Sequence, residues 1–438
     1  MTKESPMKKN TQLAGWASLL AVAGLALSGC AGTPTGGSTG GGGASGELVG
    51  GPGVDVDAKT IRIGTLVPVS GVFAGAITNI EGIEAAFHRA TSEGGALEGW
   101  TVEVVNQDTK YDAATAIPLY EGMKDDVAMI SIVLGSTIID AMLPSIETDG
   151  VTLIPGGTTP NLQFAEHIVP SLPMTSAHAS SLIPYAIENY DVGDATFCSL
   201  TVEDTLGAYV VENFEFTVEE LGLTKGVETT FAPNTDQLTA QITALKNGKC
   251  DVVMTGGTGS FLQTFAVQAV QQDYAPLVLA GNSSYNVTLA TGPGADWLAE
   301  HAIISVPGDE WLGTDAPGQA MMIEDLTAVN PDFVPTANAH LTGYVNGMLT
   351  AEILAAAIDA GDLSREGIAA AAAGIGTWED ELGLAGGDVV VGETAAGNVP
   401  PSKLSMFRID PDVPTGLALE RYYYESEVTN DYIESIRP

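Results

Sequence analysis

The side chains best placed to do chemistry in this sequence sit in short turns rich in Gly, Ser and Thr. Those turns hold almost no cationic or imidazole group. Gly135-Ser136-Thr137 stands before a helical pattern, so its backbone N–H groups and hydroxyls form an anion site that needs no Lys or Arg. Pro155-Gly156-Gly157-Thr158-Thr159 offers further N–H groups and two hydroxyls. Together the two turns suit a small carboxylate. Taken singly, each reads more simply as a helix N-cap, because Ser and Thr favour helix starts everywhere. Residues 69–74, 201–207, 255–260 and 281–284 form turns of similar composition.

Other chemistries find no matching residues. No phosphate loop of the form G-x-x-x-x-G-K-[ST] occurs, and TGGTGS at 255–260 lacks the third glycine of a dinucleotide fingerprint. No G-x-S-x-G elbow follows a strand, and no H-E-x-x-H is present. The three cysteines (Cys30, Cys198, Cys250) and the five scattered histidines have no zinc spacing. His340 lies in a helical run and reads as a core or surface residue. No catalytic group, metal or cofactor is therefore expected. Lys plus Arg number 16 against 55 for Asp plus Glu, and the net charge of −39 repels phosphate backbones and argues against nucleic acid.

The elements that must position these turns alternate. Strand patterns at 60–68, 100–105, 127–134 and 151–154 enclose helical spacing at 77–91, 113–123 and 138–146. The order repeats, with helices at 180–189, 205–221, 237–246 and 261–271 and strands at 195–200, 227–231, 251–254, 277–280 and 303–306. This predicts an α/β fold with two doubly wound lobes. Helices follow at 319–329 and 337–360, then antiparallel strands at 403–407 and 417–424. Residues 376–402 show no clear period. In such sheets ligands sit beyond the carboxyl ends of the strands, which is where the six turns fall.

The chain starts with an address. Lys3, Lys8 and Lys9 precede a short apolar stretch, Leu13 to Leu27, with the layout of a secretory signal over residues 1–29. Leu27-Ser28-Gly29-Cys30 resembles a bacterial lipobox, in which Cys30 becomes the lipid-bearing first residue. Eleven of the 24 residues from Ala31 to Val54 are glycine, which predicts a flexible tether through residue 57.

The body resembles the type I periplasmic binding proteins, the solute receptors of ABC importers, in the branch that binds leucine, isoleucine and valine. The likeness rests on Ile61–Gly71 (IRIGTLVPVSG), Gly82–Gly94, Val105–Ala113 (VNQDTKYDA), Gly135–Thr137, Pro155–Leu162 (PGGTTPNL) and Asp251–Gly257 (DVVMTGG). It implies two lobes joined by three crossover segments around a cleft. Lobe one would take 58–175 and 309–398, and lobe two 176–308 and 399–438. It also implies a monomeric, non-enzymatic receptor outside the cytoplasm. Such a receptor touches the membrane only through its lipid and hands a small organic solute to ABC permease subunits. A sensing module for a separate signalling partner, or a hydrolase on the same scaffold, are the alternatives.

The resemblance places Ser136, Gly156 and Thr158, with the adjoining Thr137 and Gly157, where the family grips a ligand carboxylate. The ammonium half departs from the pattern. Asn282 stands where amino-acid binders carry an acidic residue, and Thr258 and Leu206 stand where they often carry aromatics. A buried ammonium without a carboxylate partner is costly. The expected solute therefore has a carboxylate or amide head and no amine, or a bulkier apolar tail. Glu203, Asp204, Asp309 or Glu310 would be the substitutes if an amine is bound. Phe73, Leu206, Tyr285 and Trp311 either line the pocket or simply pack. Leu134 replaces a cysteine of the family's lobe-one bridge. Cys198 and Cys250 fall on or just before neighbouring strands, as a disulfide or as two buried thiols.

Overall fold

The computed structural model describes residues 47–233, 235–257, 261–308, 317–334 and 339–438. The leader, Cys30, Thr258, Asp309, Glu310 and Trp311 lie outside the described residues. The first sheet contains β1 (Val54–Asp55), β2 (Thr60–Leu66), β3 (Thr101–Gln107), β4 (Ile130–Val133) and β5 (Leu153–Pro155). β2 pairs in parallel with β3 and β4, β4 pairs in parallel with β5, and β1 runs antiparallel to the start of β2. β4 reads Ile-Ser-Ile-Val and is buried throughout, as a strand covered on both faces must be.

The second sheet is built from β6 (Thr196–Val202), β7 (Thr224–Phe231), β8 (Val252–Gly256), β9 (Leu277–Gly281) and β10 (Ala302–Pro307), which are parallel. A two-stranded ribbon, β11 (Gly376–Trp378) and β12 (Val389–Val391), precedes β13 (Leu404–Ile409) and β14 (Leu417–Tyr424). The last two strands join the second sheet antiparallel, giving the order β14-β13-β10-β9-β8-β6-β7. The chain thus passes between lobes after β5, after β10 and between β12 and β13. The fold is the two-lobed α/β arrangement, with mixed sheets because β1, β13 and β14 run against their neighbours.

Helix Ala339–Ala360 is long and apolar enough to cross a membrane by length and composition, yet it is mostly buried inside the protein. It packs on helix Ile77–Thr91 at unusually close range. A Cβ on Gly343 would lie 1.9 Å from the Asn79 carbonyl oxygen, and one on Gly82 would lie 2.2 Å from that of His340. Leu349, Ile353 and Leu354 fill the core beyond the crossing together with Ile83 and Phe87.

The glycine-rich stretch ends earlier than its composition suggests. Val49 N–H donates to the Gly361 carbonyl at 3.1 Å, and Leu363 N–H donates to that of Val49 at 2.8 Å. Leu48 and Val54 pack on the first lobe's core. The glycines here serve close approach, not slack: a Cβ on Gly51 would meet the Leu363 carbonyl at 2.5 Å.

Cys198 and Cys250 form a disulfide, with Cα atoms 5.8 Å apart across 52 residues of sequence. Chain-entropy arguments give such a loop roughly 4 kcal/mol of stabilisation. The register of β6 on β7 shifts between Phe197 and Ser199, and Gly226 lies opposite that irregularity. A Cβ at Gly226 would sit 2.6 Å from the Cys198 sulfur, so the bare backbone there makes room for the bridge.

Candidate functional site

The site begins where β4 ends. Gly135 adopts φ 114, a conformation side chains avoid, and turns the chain into helix Ser136–Asp149. The N–H groups of Ile138 and Ile139 both bond to the Gly135 carbonyl, which leaves Ser136 and Thr137 at the open end of the helix. Ser136 is half-buried and Thr137 exposed. The turn after β5 lies beside this one: a Cβ on Gly156 would touch the Leu134 side chain at 2.9 Å.

An aromatic pair covers the first turn. The rings of Phe73 and Tyr111 stand 4.2 Å apart, and Tyr111 lies 3.1 Å from where a Gly135 Cβ would be. Tyr111 holds φ 60, a left-handed conformation that costs a non-glycine residue about 1–3 kcal/mol. Strain of this kind persists where surrounding structure demands it. Asp108 supplies part of that demand by accepting from Val69 N–H at 3.0 Å and Ser70 Oγ at 2.6 Å, tying the two loops together. The Ser70 bond holds the Asp108 carboxyl below its ordinary range. Burial, then the nearby Asp204 charge, pushes the Tyr111 hydroxyl up to about 12. Asp204 caps helix Thr205–Glu220 of the second lobe by accepting from Gly207 N–H at 2.9 Å. Helix Thr205–Glu220 touches helix Ser136–Asp149, so the two lobes meet beside this turn.

Thr158 is buried, and its Oγ1 has no hydrogen-bond partner. Its carbonyl accepts from both the N–H and the hydroxyl of Thr175, at 3.1 and 2.9 Å. Gly157 packs on the same Thr175 side chain. From Thr175 the chain crosses to lobe two through Ser176, whose buried Oγ is also unpartnered, and reaches His178. His178 Nδ1 lies 2.5 Å from Ser305 Oγ, while its Nε2 is buried without a partner. The ring packs 2.9 Å from where a Gly281 Cβ would sit. Asn282 follows, at the end of β9, and its Oδ1 is again buried and unpartnered.

Thr158, Ser176 and His178 thus lie along the first crossover and its approach, and Asn282 follows Gly281, on which the His178 ring packs; each buries an unpartnered polar atom, as Thr152, Gln163, Ser199, Thr201 and Asn213 do elsewhere in the two lobes. An unpaired buried polar group costs about 1–3 kcal/mol, and native proteins keep few of them. All four groups are uncharged. Groups of this kind are satisfied by ordered water or by a polar ligand.

The remaining predicted residues take varied places. Leu206 packs with Val210 and Phe214 in the lobe-two core and is 8% exposed. Glu203 accepts from the Thr230 hydroxyl at 2.8 Å, and the Tyr285 hydroxyl donates to the Thr415 carbonyl. Sequence reasoning singled out neither Tyr111 nor His178. The signal for Tyr111 was its place in the DTKYDA turn beside a strand end; His178 had none. Among the described residues no group of three or more His, Cys, Asp or Glu is arranged to hold a metal ion.

Burial alone pushes the His178 imidazole from its ordinary 6.5 down to about 4. Between those values the unfolded chain binds a proton that the folded chain does not. Stability is therefore full above about pH 6.5 and falls as pH drops toward about 4, by about 3 kcal/mol in all. Urea titrations at pH 7 and pH 4.5 check this. The difference between wild type and His178→Gln should shrink or change sign at the lower pH, and an unchanged difference would show that His178 takes up its proton in the folded protein as readily as in the unfolded chain.

The family profile described as periplasmic binding protein matches residues 60–413. No sequence among curated proteins matches the chain. Solved structures do. A fatty acid ABC transporter substrate-binding protein from Thermomonospora curvata is 22% identical, with a TM-score of 0.79 over 89% of this chain and 97% of that one. A branched-chain amino acid ABC transporter protein from Thermus thermophilus with bound valine is 14% identical, with a TM-score of 0.70 over 85% and 98%. A solute-binding protein from R. palustris in complex with 4-hydroxybenzoate is 15% identical, with a TM-score of 0.69 over 84% and 97%. At these identities the likeness establishes the fold and leaves the solute open.

Proposed function

This chain belongs to the periplasmic binding protein family, and from that premise we propose that it captures an amine-free organic acid or amide and delivers it to an ABC importer. The observation that carries the reading is the uncharged, unsatisfied set Thr158, Ser176, His178 and Asn282. It gives a solute hydrogen-bonding partners but no anionic seat for an ammonium group. The Ser136–Thr137 helix start and the Gly156–Thr158 turn receive the carboxylate or amide head. Phe73 and Tyr111 supply an apolar wall, with Asn282 on the lobe-two side.

The mechanism is capture without covalent chemistry. Lobe one (58–175 and 309–398) grips the head, and lobe two (176–308 and 399–438) closes over the rest. Closure then presents a changed surface to the permease. Residues 1–29 direct export, and lipidated Cys30 keeps the receptor on the outer face of the cell membrane.

A thermal-shift screen tests the solute class. The panel holds leucine, valine, their 2-oxo acids, short amides, fatty acids and aromatic carboxylates. A ligand at 100 times its Kd adds about 2.7 kcal/mol of stability, a clear rise in Tm. Rises confined to amine-free compounds are expected. A rise with leucine or valine would overturn the choice of solute and direct attention to Glu203 and Asp204.

A further inference from the structure

We propose that the turn Asp380–Asp388 is the fulcrum on which the lobes close, with Asp380 as its positioning residue. The turn lies between β11 and β12 and contacts all three passages between the lobes. Gly386 lies against Pro173 of the first passage, 2.8 Å from where a Cβ would be. At the second passage, a Cβ on Gly308 would meet the Leu384 carbonyl at 2.6 Å, and Gly318 N–H donates to the Leu382 carbonyl at 2.8 Å. At the third, Lys403 N–H donates to the Gly386 carbonyl at 2.9 Å.

Asp380 organises this turn from within. Its Oδ1 accepts from Leu384 and Ala385 N–H at 2.8 and 3.1 Å, and its Oδ2 accepts from Gly387 N–H at 3.0 Å. The Tyr423 hydroxyl on β14 donates to the same Oδ2 at 2.9 Å and accepts from Gly386 N–H at 2.7 Å. The neighbouring Tyr422 hydroxyl donates to the Gly383 carbonyl at 2.8 Å. The strand is bent to allow this. The pairing of β13 with β14 is irregular between Leu404 and Met406, opposite these two tyrosines, and Tyr423 sits at φ 44. A bulge of this kind re-aims side chains. One turn of lobe one is thus fastened to the last strand of lobe two and to every connection between them. The three passages move together about it, which gives closure one axis.

The proposal rests on the reading that the lobes close, but its test needs no solute. In the full chain carrying Cys30→Ser, spin labels are placed at Glu147→Cys and Glu219→Cys. Both positions are exposed, on helices Ser136–Asp149 and Thr205–Glu220, which meet across the lobes. Electron–electron resonance then gives the distribution of interlobe distances. Tyr423→Phe removes one charge-assisted bond to Asp380 and the bond from Gly386 N–H, so the population outside the main distance peak should rise at least about tenfold. Asp380→Ala should do the same, and Asp380→Asn, which keeps the acceptor for Leu384 and Ala385 but sets an NH2 against Gly387 N–H and the Tyr423 hydroxyl, should fall between wild type and Asp380→Ala. If Asp380→Ala fails to fold, Tyr423→Phe decides alone. A lowered Tm with an unchanged distribution would show a merely structural role and overturn the proposal.

Discussion

Alanine at position 343 is expected to destabilise the protein by about 3 kcal/mol or more, and valine there to prevent folding. The Cβ of Gly343→Ala would fall 1.9 Å from the Asn79 carbonyl oxygen, closer than any real contact. The obstacle is backbone, not the end of a flexible side chain, so it cannot step aside. Gly82 faces His340 backbone across the same crossing, and a Cβ on Gly347 would lie 3.1 Å from the Ile83 Cα, so a shift along the contact meets the next barrier. The helices must separate. Separation opens gaps beside Ile83, Phe87, Leu349 and Ile353, all buried in one cluster, and lost packing is added to the strain. Gly122→Ala is the control. Nothing lies within 4 Å of its Cβ position in helix Ala113–Met123, so alanine should stabilise by about 0.5–1 kcal/mol. Urea denaturation followed by tryptophan fluorescence reads both. A loss under 1 kcal/mol at Gly343→Ala would show that the helices do not cross this closely.

The same residue type carried three meanings here, and the sequence could be read for only one of them. Glycines at strand ends marked turns that the structure does place after β4 and β5, with Gly135 opening helix Ser136–Asp149 and Gly156 following Pro155. Gly51 and Gly53 were read as slack, because composition alone does not tell a free linker from a segment pressed against Leu363 and Val127. Gly383, Gly386 and Gly387 hid the period of residues 376–402, since their positive φ values serve hydrogen bonds to Asp380 and Tyr423 that no local pattern announces. The buried strands were legible because Val and Ile runs need no distant partner to be recognised. Helix Glu427–Ser435 was missed although Val428, Thr429, Tyr432 and Ile433 have helical spacing, because one short apolar face among acidic residues gives a weak signal. In the site, Ser136 and Thr158 follow from the rule for strand ends. His178 does not, since its place beside Gly281 and Ser305 comes from a passage between lobes.

Asn282→Asp should invert the choice of solute. Asn282 starts a tight turn after β9, held by Tyr285 N–H on its carbonyl at 3.0 Å and by Ser284 Oγ on the Gly257 carbonyl at 3.0 Å. Its side-chain oxygen is buried and waits for a donor. A carboxylate in its place adds a charge that His178, neutral beside it, does not offset. Two carboxylates about 7 Å apart at an effective dielectric of about 20 repel by about 2 kcal/mol, so affinity for an amine-free acid should fall about 30-fold at pH 8. Leucine or valine should gain, because the variant now has an anionic partner for an ammonium group. The pH dependence separates charge from shape. Burial raises the pKa of an unpaired carboxyl, so lowering the pH neutralises it and restores binding of the acid to the variant, while the amino-acid gain disappears. Isothermal titration at pH 8 and pH 5 measures both arms. An equal loss at the two pH values would mean that the substitution acts by shape, and that Asn282 does not face the solute's polar end.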